Sequence, residues 1–201
     1  MTADDVAVDQ RVSPLELWRA EFKALPAGVR LRELAFLTQL SLRLVPESPA
    51  VAAVSEALGV ALPLEPCSSA VAGEVTVLWL GPDEWLVMTP TGDGETERNL
   101  RAAVQGHGAV IDVSGQRTTV SVSGPRARDL LAHGCSIDLH PRVNHAGSCV
   151  QTHLAKAGVA IWTRDDSGTD FWVVVRTSFA DYLARWLVDA CVPHRQDPQW
   201  Q

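Results

Sequence analysis

The sequence predicts an α+β fold in which two ferredoxin-like βαββαβ units, copies of each other, pack as one domain. The first observation is that an alternating strand, a striped helix, a tryptophan-containing hairpin and a second helix occur twice in the same order. The leading strands carry Leu40 and Leu42 in one copy and Val120 and Val122 in the other, each between polar residues. The second observation is that a proline follows each leading strand, at Pro49 and at Pro125, and begins the striped segment. Repetition of one supersecondary unit is typical of a duplicated domain.

The predicted organisation of the chain has three parts. They are an N-terminal helix and arm at residues 1–30, a single duplicated α+β domain at 31–192 with halves at about 31–114 and 115–192, and a tail at 193–201. The tail is polar apart from Trp200, which predicts a loose segment.

An N-terminal helix is predicted ahead of both repeats. Residues 13–16, Ser-Pro-Leu-Glu, have the pattern of a capping box with proline at the first helical position, and apolar residues follow at helical spacing up to Pro26. An apolar helix outside a complete domain must cover either that domain or another subunit. The sequence leaves both alternatives open for Trp18 and for Trp200, since buried tryptophan is typical of cores and of interface centres.

The first unit begins with a strand at 38–45 that has one apolar and one polar face, typical of a sheet covered on one side. The elements predicted after it are a helix at 48–59, a loop at 60–73, a hairpin of strands 75–80 and 85–89, a helix at 95–105 and a strand at 109–113.

The second unit repeats this order from residue 117. A strand at 117–123 is followed by a helix with proline at its first position, whose buried side chains are predicted to be Ala127, Leu130 and Leu131. After an irregular stretch, the predicted elements are strands at 150–154, 159–164 and 171–176 and a final amphipathic helix capped by Ser178.

Composition and charge exclude several classes of function. The 201 residues are 46% hydrophobic and 20% charged, which is typical of a soluble globular domain. A net charge of −7 disfavours nucleic acid as a partner, because nucleic-acid-binding proteins present a basic face. No run of about 20 apolar residues predicts a membrane span, and the first ten residues lack a signal-peptide pattern. We therefore expect a cytoplasmic protein.

A histidine- and cysteine-rich stretch is the first place to look for chemistry. Its members are His133, Cys135, His140, His145, Cys149 and His153. Structural zinc sites need close pairs such as C-x2-4-C with H-x3-5-H, and no such cysteine pair occurs here. A cysteine–histidine nucleophile requires a third, orienting group that the sequence does not mark. We predict a solvated loop, with the four cysteines of the chain reduced and partly buried.

Two other motifs are predicted to be structural. The glycine and proline at the second strand–helix junction lack the further glycines of a dinucleotide-binding loop. Asp112 ends an apolar strand just before a Val-Ser-Gly turn. A carboxylate at this position is predicted to be partly buried and to accept hydrogen bonds from the turn rather than to act in catalysis.

The central part of the chain resembles the folate-binding domain of the glycine-cleavage T-protein superfamily. The resemblance lies in residues 108–114 (Gly-Ala-Val-Ile-Asp-Val-Ser), 120–125 (Val-Ser-Val-Ser-Gly-Pro) and the Ala-x-x-Leu-Leu helix start at 127–131. T-proteins are longer and carry an aspartate on a folate-facing strand, where this chain has residues 158–162, ending in Trp162. The departure argues against a folate site of the T-protein kind.

The chain is also similar to the gamma-subunit family of heterotetrameric sarcosine oxidases. That similarity lies in residues 31–34 (Leu-Arg-Glu-Leu), 80–86 (Leu-Gly-Pro-Asp-Glu-Trp-Leu) and 111–117 (Ile-Asp-Val-Ser-Gly-Gln-Arg). The resemblance implies a hetero-oligomer with alpha, beta and delta subunits that oxidises sarcosine to glycine, forming hydrogen peroxide and 5,10-methylenetetrahydrofolate. It implies FAD, FMN, NAD and tetrahydrofolate in the larger subunits and zinc in the small one.

For this chain the resemblance implies no catalytic, cofactor-binding or metal-binding residue, in agreement with the motif search. The expected function is that of a non-catalytic gamma subunit. The alternative is a stand-alone folate-binding or aminomethyltransferase-like protein.

Overall fold

The computed structural model describes residues 11–200, so residues 1–10 of the predicted arm lie outside the described residues, as does Gln201. Ten strands are present within this range: β1 (Arg30–Leu34), β2 (Thr38–Leu44), β3 (Ser69–Ala72), β4 (Val75–Gly81), β5 (Glu84–Thr89), β6 (Gly108–Asp112), β7 (Arg117–Ser123), β8 (Cys149–Leu154), β9 (Ala157–Thr163) and β10 (Asp170–Arg176). The α-helices are α1 (Arg19–Lys23), α2 (Ala50–Leu58), α3 (Gly94–Val104), α4 (Ala127–Ala132) and α5 (Thr177–Cys191).

The strands form two five-stranded antiparallel sheets with corresponding strand orders. The first sheet has the order β6-β2-β5-β4-β3 and the second has the order β1-β7-β10-β9-β8. In each, the leading strand of a unit lies beside the second strand of its hairpin, and the hairpin's first strand comes next. The predicted duplication of an α+β unit is therefore confirmed.

The outermost position of each sheet is filled differently. In the first sheet β6 follows α3 and pairs with β2. In the second sheet the same position beside β7 is occupied by β1, which precedes the first unit in sequence, with Arg30 opposite Ser123 and Leu34 opposite Thr119. The sequence did not predict β1, because an edge strand with three charged residues in five has no clear apolar alternation. It also missed the four-residue edge strand β3, which lies in the stretch predicted as a loop.

Both sheets are buried on two faces. The first outer core, between the first sheet and helices α2 and α3, includes Leu40, Leu42, Val54, Leu58, Trp85, Val87 and Leu100. The second outer core, between the second sheet and helices α1, α4 and α5, includes Leu31, Val120, Val122, Leu130, Phe171, Val173, Leu183 and Leu187. The inner layer, between the sheets, consists of Leu78, Leu86, Met88, Val113, Cys149, Ala160, Trp162 and Val174. The prediction of a sheet covered on one side is therefore wrong: even Gln39, on the polar face of β2, is buried.

The N-terminal segment covers its own domain. Leu15 and Phe22 are buried in the second outer core, and Trp18 is half-buried against it, with Nε1 donating a hydrogen bond to Asp181 Oδ1 at 2.9 Å. The predicted capping box does not form. The Ser13 hydroxyl instead donates to Glu33 Oε2 of β1 at 2.5 Å, which ties the segment to the second sheet.

The C-terminal segment is packed, so the prediction of a loose tail is wrong. It forms two short 3-10 helices, Val192–His194 and Pro198–Trp200. The Trp200 side chain is buried, and its carbonyl accepts a hydrogen bond from Gly28 N at 2.8 Å. The two ends of the described chain therefore meet over the second outer core, which accounts for Trp200 without an interface.

Two predicted helix starts are also corrected. Helix α4 begins at Ala127, two residues after the predicted proline start, because Gly124 and Pro125 form a turn that packs on the segment before β1. Gly124 has φ +117°, and a Cβ there would lie 2.4 Å from Gly28 O. Helix α5 begins at Thr177 without a side-chain cap, so Ser178 is inside its first turn.

Within residues 11–200, no helix combines the length and the apolar character needed to cross a bilayer.

Two leucines two residues apart test whether the N-terminal segment belongs to the core. Leu15 is 0% exposed and Leu17 is 88% exposed. We expect Leu15→Ala to lower the free energy of unfolding by about 2–5 kcal/mol, because it leaves a cavity in the second outer core. Leu17→Ala, the matched control, should change it by less than about 0.5 kcal/mol. Urea unfolding of both variants gives the values, and equal effects would show that the segment does not pack as described.

Candidate functional site

The inner layer between the sheets is the first candidate for a site, because side chains of both units face each other there. Trp162, at the end of β9, occupies the position where the resemblance placed the T-protein acid. It is 6% exposed, and its Nε1 donates to Ser69 Oγ at 2.9 Å. Ser69 Oγ in turn donates to Gly147 O at 2.7 Å. The indole therefore connects the second sheet to β3 of the first.

A second tryptophan and an arginine complete this end of the inner layer. The Trp172 ring meets the Trp162 ring edge to face, with centroids 5.1 Å apart. The Arg164 guanidinium lies over both rings, 4.7 Å from the centroid of Trp172 and 5.3 Å from that of Trp162, and pairs with Asp170 at 2.8 Å. Such contacts stabilise packed aromatic groups. An indole cannot exchange a proton as a carboxylate does, so Trp162 does not fit the role of the T-protein acid toward folate.

The histidines and cysteines of the stretch predicted as a solvated loop lie apart. His133 faces the C-terminal segment, where its ring lies 5.3 Å from that of His194. His140 accepts a hydrogen bond from Arg142 N within its own loop, and His145 lies beside Ser148. Within the described chain, no three His, Cys, Asp or Glu side chains are grouped closely enough to hold a metal ion. Cys135 forms a β-bridge with Leu154 at the end of β8, and Cys149 begins that strand and is buried in the inner layer.

Two buried cysteines have thiols that resist ionisation. Burial raises the pKa of Cys149 to about 12, and nearby Cys67 contributes to the shift. Burial also raises the pKa of Cys191 to about 11, against a smaller opposite effect of Arg195. The thiolate is the nucleophilic form of cysteine. Both thiols are therefore protonated at neutral pH and are unsuited to nucleophilic catalysis.

Asp112 acts as the turn acceptor that the sequence predicted. Its Oδ1 accepts a hydrogen bond from Ser114 N at 2.8 Å, and Ser114 Oγ accepts one from Gln39 N at 2.9 Å. The prediction that Asp112 is partly buried is wrong, because β6 is an edge strand and the carboxylate is exposed there. The Asp-Val-Ser turn thus fixes the start of β2 to the crossing between the units.

A cavity of about 350 Å³ lies between the sheets at the end away from the tryptophans. Its walls include Leu80 and Leu86 from the first sheet and Arg117, His153, Gly158 and Arg176 from the second. No sequence motif marks this cavity, because its two charged residues, Arg117 of β7 and Arg176 of β10, come from strands that are distant in sequence. Only the strand pairing brings them together, and no spacing rule connects them.

Comparison with known proteins identifies the family. A family model described as "Sarcosine oxidase, gamma subunit family" matches residues 45–193. The chain belongs to the sarcosine oxidase gamma subunit family. A sarcosine oxidase subunit gamma from Corynebacterium sp. (strain P-1) is 40% identical over 195 residues, which cover 94% of this chain and 93% of the relative.

Solved structures agree with this membership. A chain of the heterotetrameric sarcosine oxidase from Corynebacterium sp. U-96, determined in complex with pyrrole 2-carboxylate, matches with a TM-score of 0.86 and 36% identity, covering 92% of this gamma-family chain and 96% of that chain. Aminomethyltransferase T of the glycine cleavage system from Bartonella henselae matches with a TM-score of 0.61 and 18% identity, covering 84% and 48% of the two chains. The second match confirms the predicted T-protein-like fold.

The raised pKa of Cys149 predicts a loss of stability in alkali. Below pH 9 the thiol is protonated in the folded and unfolded states. Above pH 9 the unfolded thiol ionises while the folded thiol, with a pKa of about 12, does not, so stability falls as pH rises. Between pH 8 and pH 10 we expect the native chain to lose about 1 kcal/mol more unfolding free energy than Cys149→Ala. Urea unfolding at both pH values measures this difference, and parallel losses would contradict it.

Proposed function

We propose that this chain is the non-catalytic gamma subunit of a heterotetrameric sarcosine oxidase and assembles with alpha, beta and delta subunits in the cytoplasm. The complex would oxidise sarcosine to glycine, reduce oxygen to hydrogen peroxide and form 5,10-methylenetetrahydrofolate. The observation that carries the proposal is the nearly full-length match to gamma subunits, which extends over 94% of this chain and 93% of a relative.

The inner layer supports a non-catalytic role. At the tryptophan end, packed aromatic rings and a paired arginine occupy the space between the sheets. The Cys149 thiol is kept protonated by burial, and His133 and His140 are engaged at separate surfaces. We therefore assign no catalytic, cofactor-binding or metal-binding residue for the oxidase reaction to this chain. We place FAD, FMN, NAD and tetrahydrofolate in the larger subunits and zinc in the small subunit.

The alternative, a stand-alone folate-binding or aminomethyltransferase-like protein, has weaker support. The chain spans about half the length of the matched aminomethyltransferase. At the position where T-proteins carry the folate-facing aspartate, this chain has Trp162. The indole N–H of Trp162 donates a hydrogen bond to Ser69, which joins the two sheets. The named relatives are gamma subunits and not aminomethyltransferases.

We also propose the division into an arm (1–30), a duplicated domain (31–192, with halves at about 31–114 and 115–192) and a tail (193–201). The boundary between the halves in sequence is not the boundary between the sheets. Strand β1 lies at the start of the first half in sequence, but it is hydrogen-bonded to β7 in the second sheet. The described part of the arm and Trp200 of the tail both pack on the second outer core. We therefore expect the whole chain to act as one body in the complex.

Assembly with and without this chain tests the proposal. The four subunits are produced together with an affinity tag on this chain, and peroxide formation from sarcosine is measured on the purified complex. We expect all four subunits to co-purify, and omission of this chain to prevent recovery of a stable, active complex. The proposal is wrong if the other three subunits assemble and turn over equally well without it.

The same complex tests the absence of catalytic residues. The variants are His133→Ala, Cys135→Ala and His140→Ala, each at a group with the chemistry of a ligand or nucleophile. Each should change kcat of the assembled complex by less than tenfold, which is about 1.4 kcal/mol of barrier. A thousandfold loss in a complex that still assembles would reveal a catalytic group.

A further inference from the structure

The cavity at the end of the inner layer opposite the tryptophans has two arginines on one wall. Arg117 of β7 and Arg176 of β10 are directly paired residues of neighbouring strands, so their side chains leave the sheet on the same face. His153 of β8 and Gly158 of β9 are paired in the same way farther along the sheet. All four residues line the cavity.

The positive charge of this wall has little compensation within residues 11–200. Neither Arg117 nor Arg176 takes part in any ion pair of the described residues. The acid that acts on Arg117 across the layer, Glu84, is already bound by Arg43 at 2.6 Å. Two guanidinium groups beside each other repel, and an anion placed between them would remove that repulsion.

One donor of Arg117 has no partner. Its Nη1 atom is shielded from solvent and makes no hydrogen bond to any described residue. Burial lowers the pKa of the guanidinium, Glu84 opposes that effect and Arg176 adds to it. A buried donor without an acceptor costs stability, so the described residues leave the Arg117 guanidinium incompletely satisfied, and Arg117 lines the cavity.

The other walls determine the rest of the ligand. Leu80, Leu86, Ala160 and Val174 make one part of them apolar, and Gln151 and Thr152 are polar lining residues. Gly158 is an exposed lining residue, and a Cβ built there would meet nothing within 4 Å. A volume of about 350 Å³ is at the lower end of the range of small-molecule pockets. These features fit a compact apolar body with one anionic group.

We propose that this cavity binds a small organic carboxylate, with the carboxylate on Arg117 and Arg176 and the apolar body against Leu80 and Leu86. The planar fork of a guanidinium matches two carboxylate oxygens, which favours a carboxylate over a halide. The carboxylate belongs either to a free molecule or to a side chain of a partner subunit. The site goes beyond the proposed function, because it needs no role of this chain in sarcosine oxidation.

Calorimetry on the full chain with benzoate as the probe tests the site. Benzamide has the same shape without the charge and is the ligand control. We expect saturable benzoate binding and at least tenfold weaker binding of benzamide. Arg117→Met, Arg176→Met and Gly158→Leu should each weaken benzoate binding at least tenfold, the first two by removing a guanidinium and the third by adding a side chain to the cavity wall. Arg32→Met is the matched control on the same sheet and should leave the affinity unchanged.

Arg176 is exposed, so its replacement by methionine keeps the proposal testable if Arg117→Met fails to fold. The proposal is overturned if benzoate does not saturate, if benzamide binds equally well, or if Arg176→Met and Gly158→Leu bind benzoate as the native chain does. Assembly of the four subunits in the presence of benzoate shows whether the natural carboxylate belongs to a free molecule or to a partner subunit. Competition between benzoate and assembly assigns the carboxylate to a partner, and unchanged assembly assigns it to a free molecule.

Discussion

The apolar layer between the two sheets is the interaction on which the rest of the structure depends. A ferredoxin-like unit buries one face of its sheet under helices, and here the other face is buried too, against the second unit. This places a constraint on the hairpin strands, which must be apolar on both faces. In β5, Trp85 and Val87 enter the first outer core while Leu86 and Met88 enter the inner layer. The leading strands β2 and β7 lie farther out and keep alternating polar residues.

This constraint explains what the sequence could predict. Strand and helix positions follow from local periodicity, so the duplicated α+β unit could be inferred from residues such as Leu40 and Val120. The placement of β1 could not, because an edge strand needs little apolar surface and its register depends on β7, more than 80 residues away. The packing of Trp200 against Gly28 is likewise a contact between the two ends of the described chain. Long-range pairing leaves no trace in local patterns.

The same distinction applies to the sites. The structural role of Asp112 was predictable, because its hydrogen-bond partner is two residues away. The environment of Trp162 was not, since its partner Ser69 is 93 positions away. The paired arginines of the cavity come from β7 and β10 of one unit, with α4, β8 and β9 between them in sequence. Sequence motifs indicated the family. The fold shows that Trp162, at the position where T-proteins carry an aspartate, packs between the sheets.

We propose that Trp162 serves packing of the sheets and not the oxidase reaction. The most direct measurement compares the native oxidase complex with one that contains Trp162→Phe, by thermal unfolding and by turnover per assembled complex. Loss of the indole N–H and of ring volume should lower stability by about 1–3 kcal/mol while kcat stays within about twofold. An unchanged melting temperature together with a large loss of kcat would contradict the account.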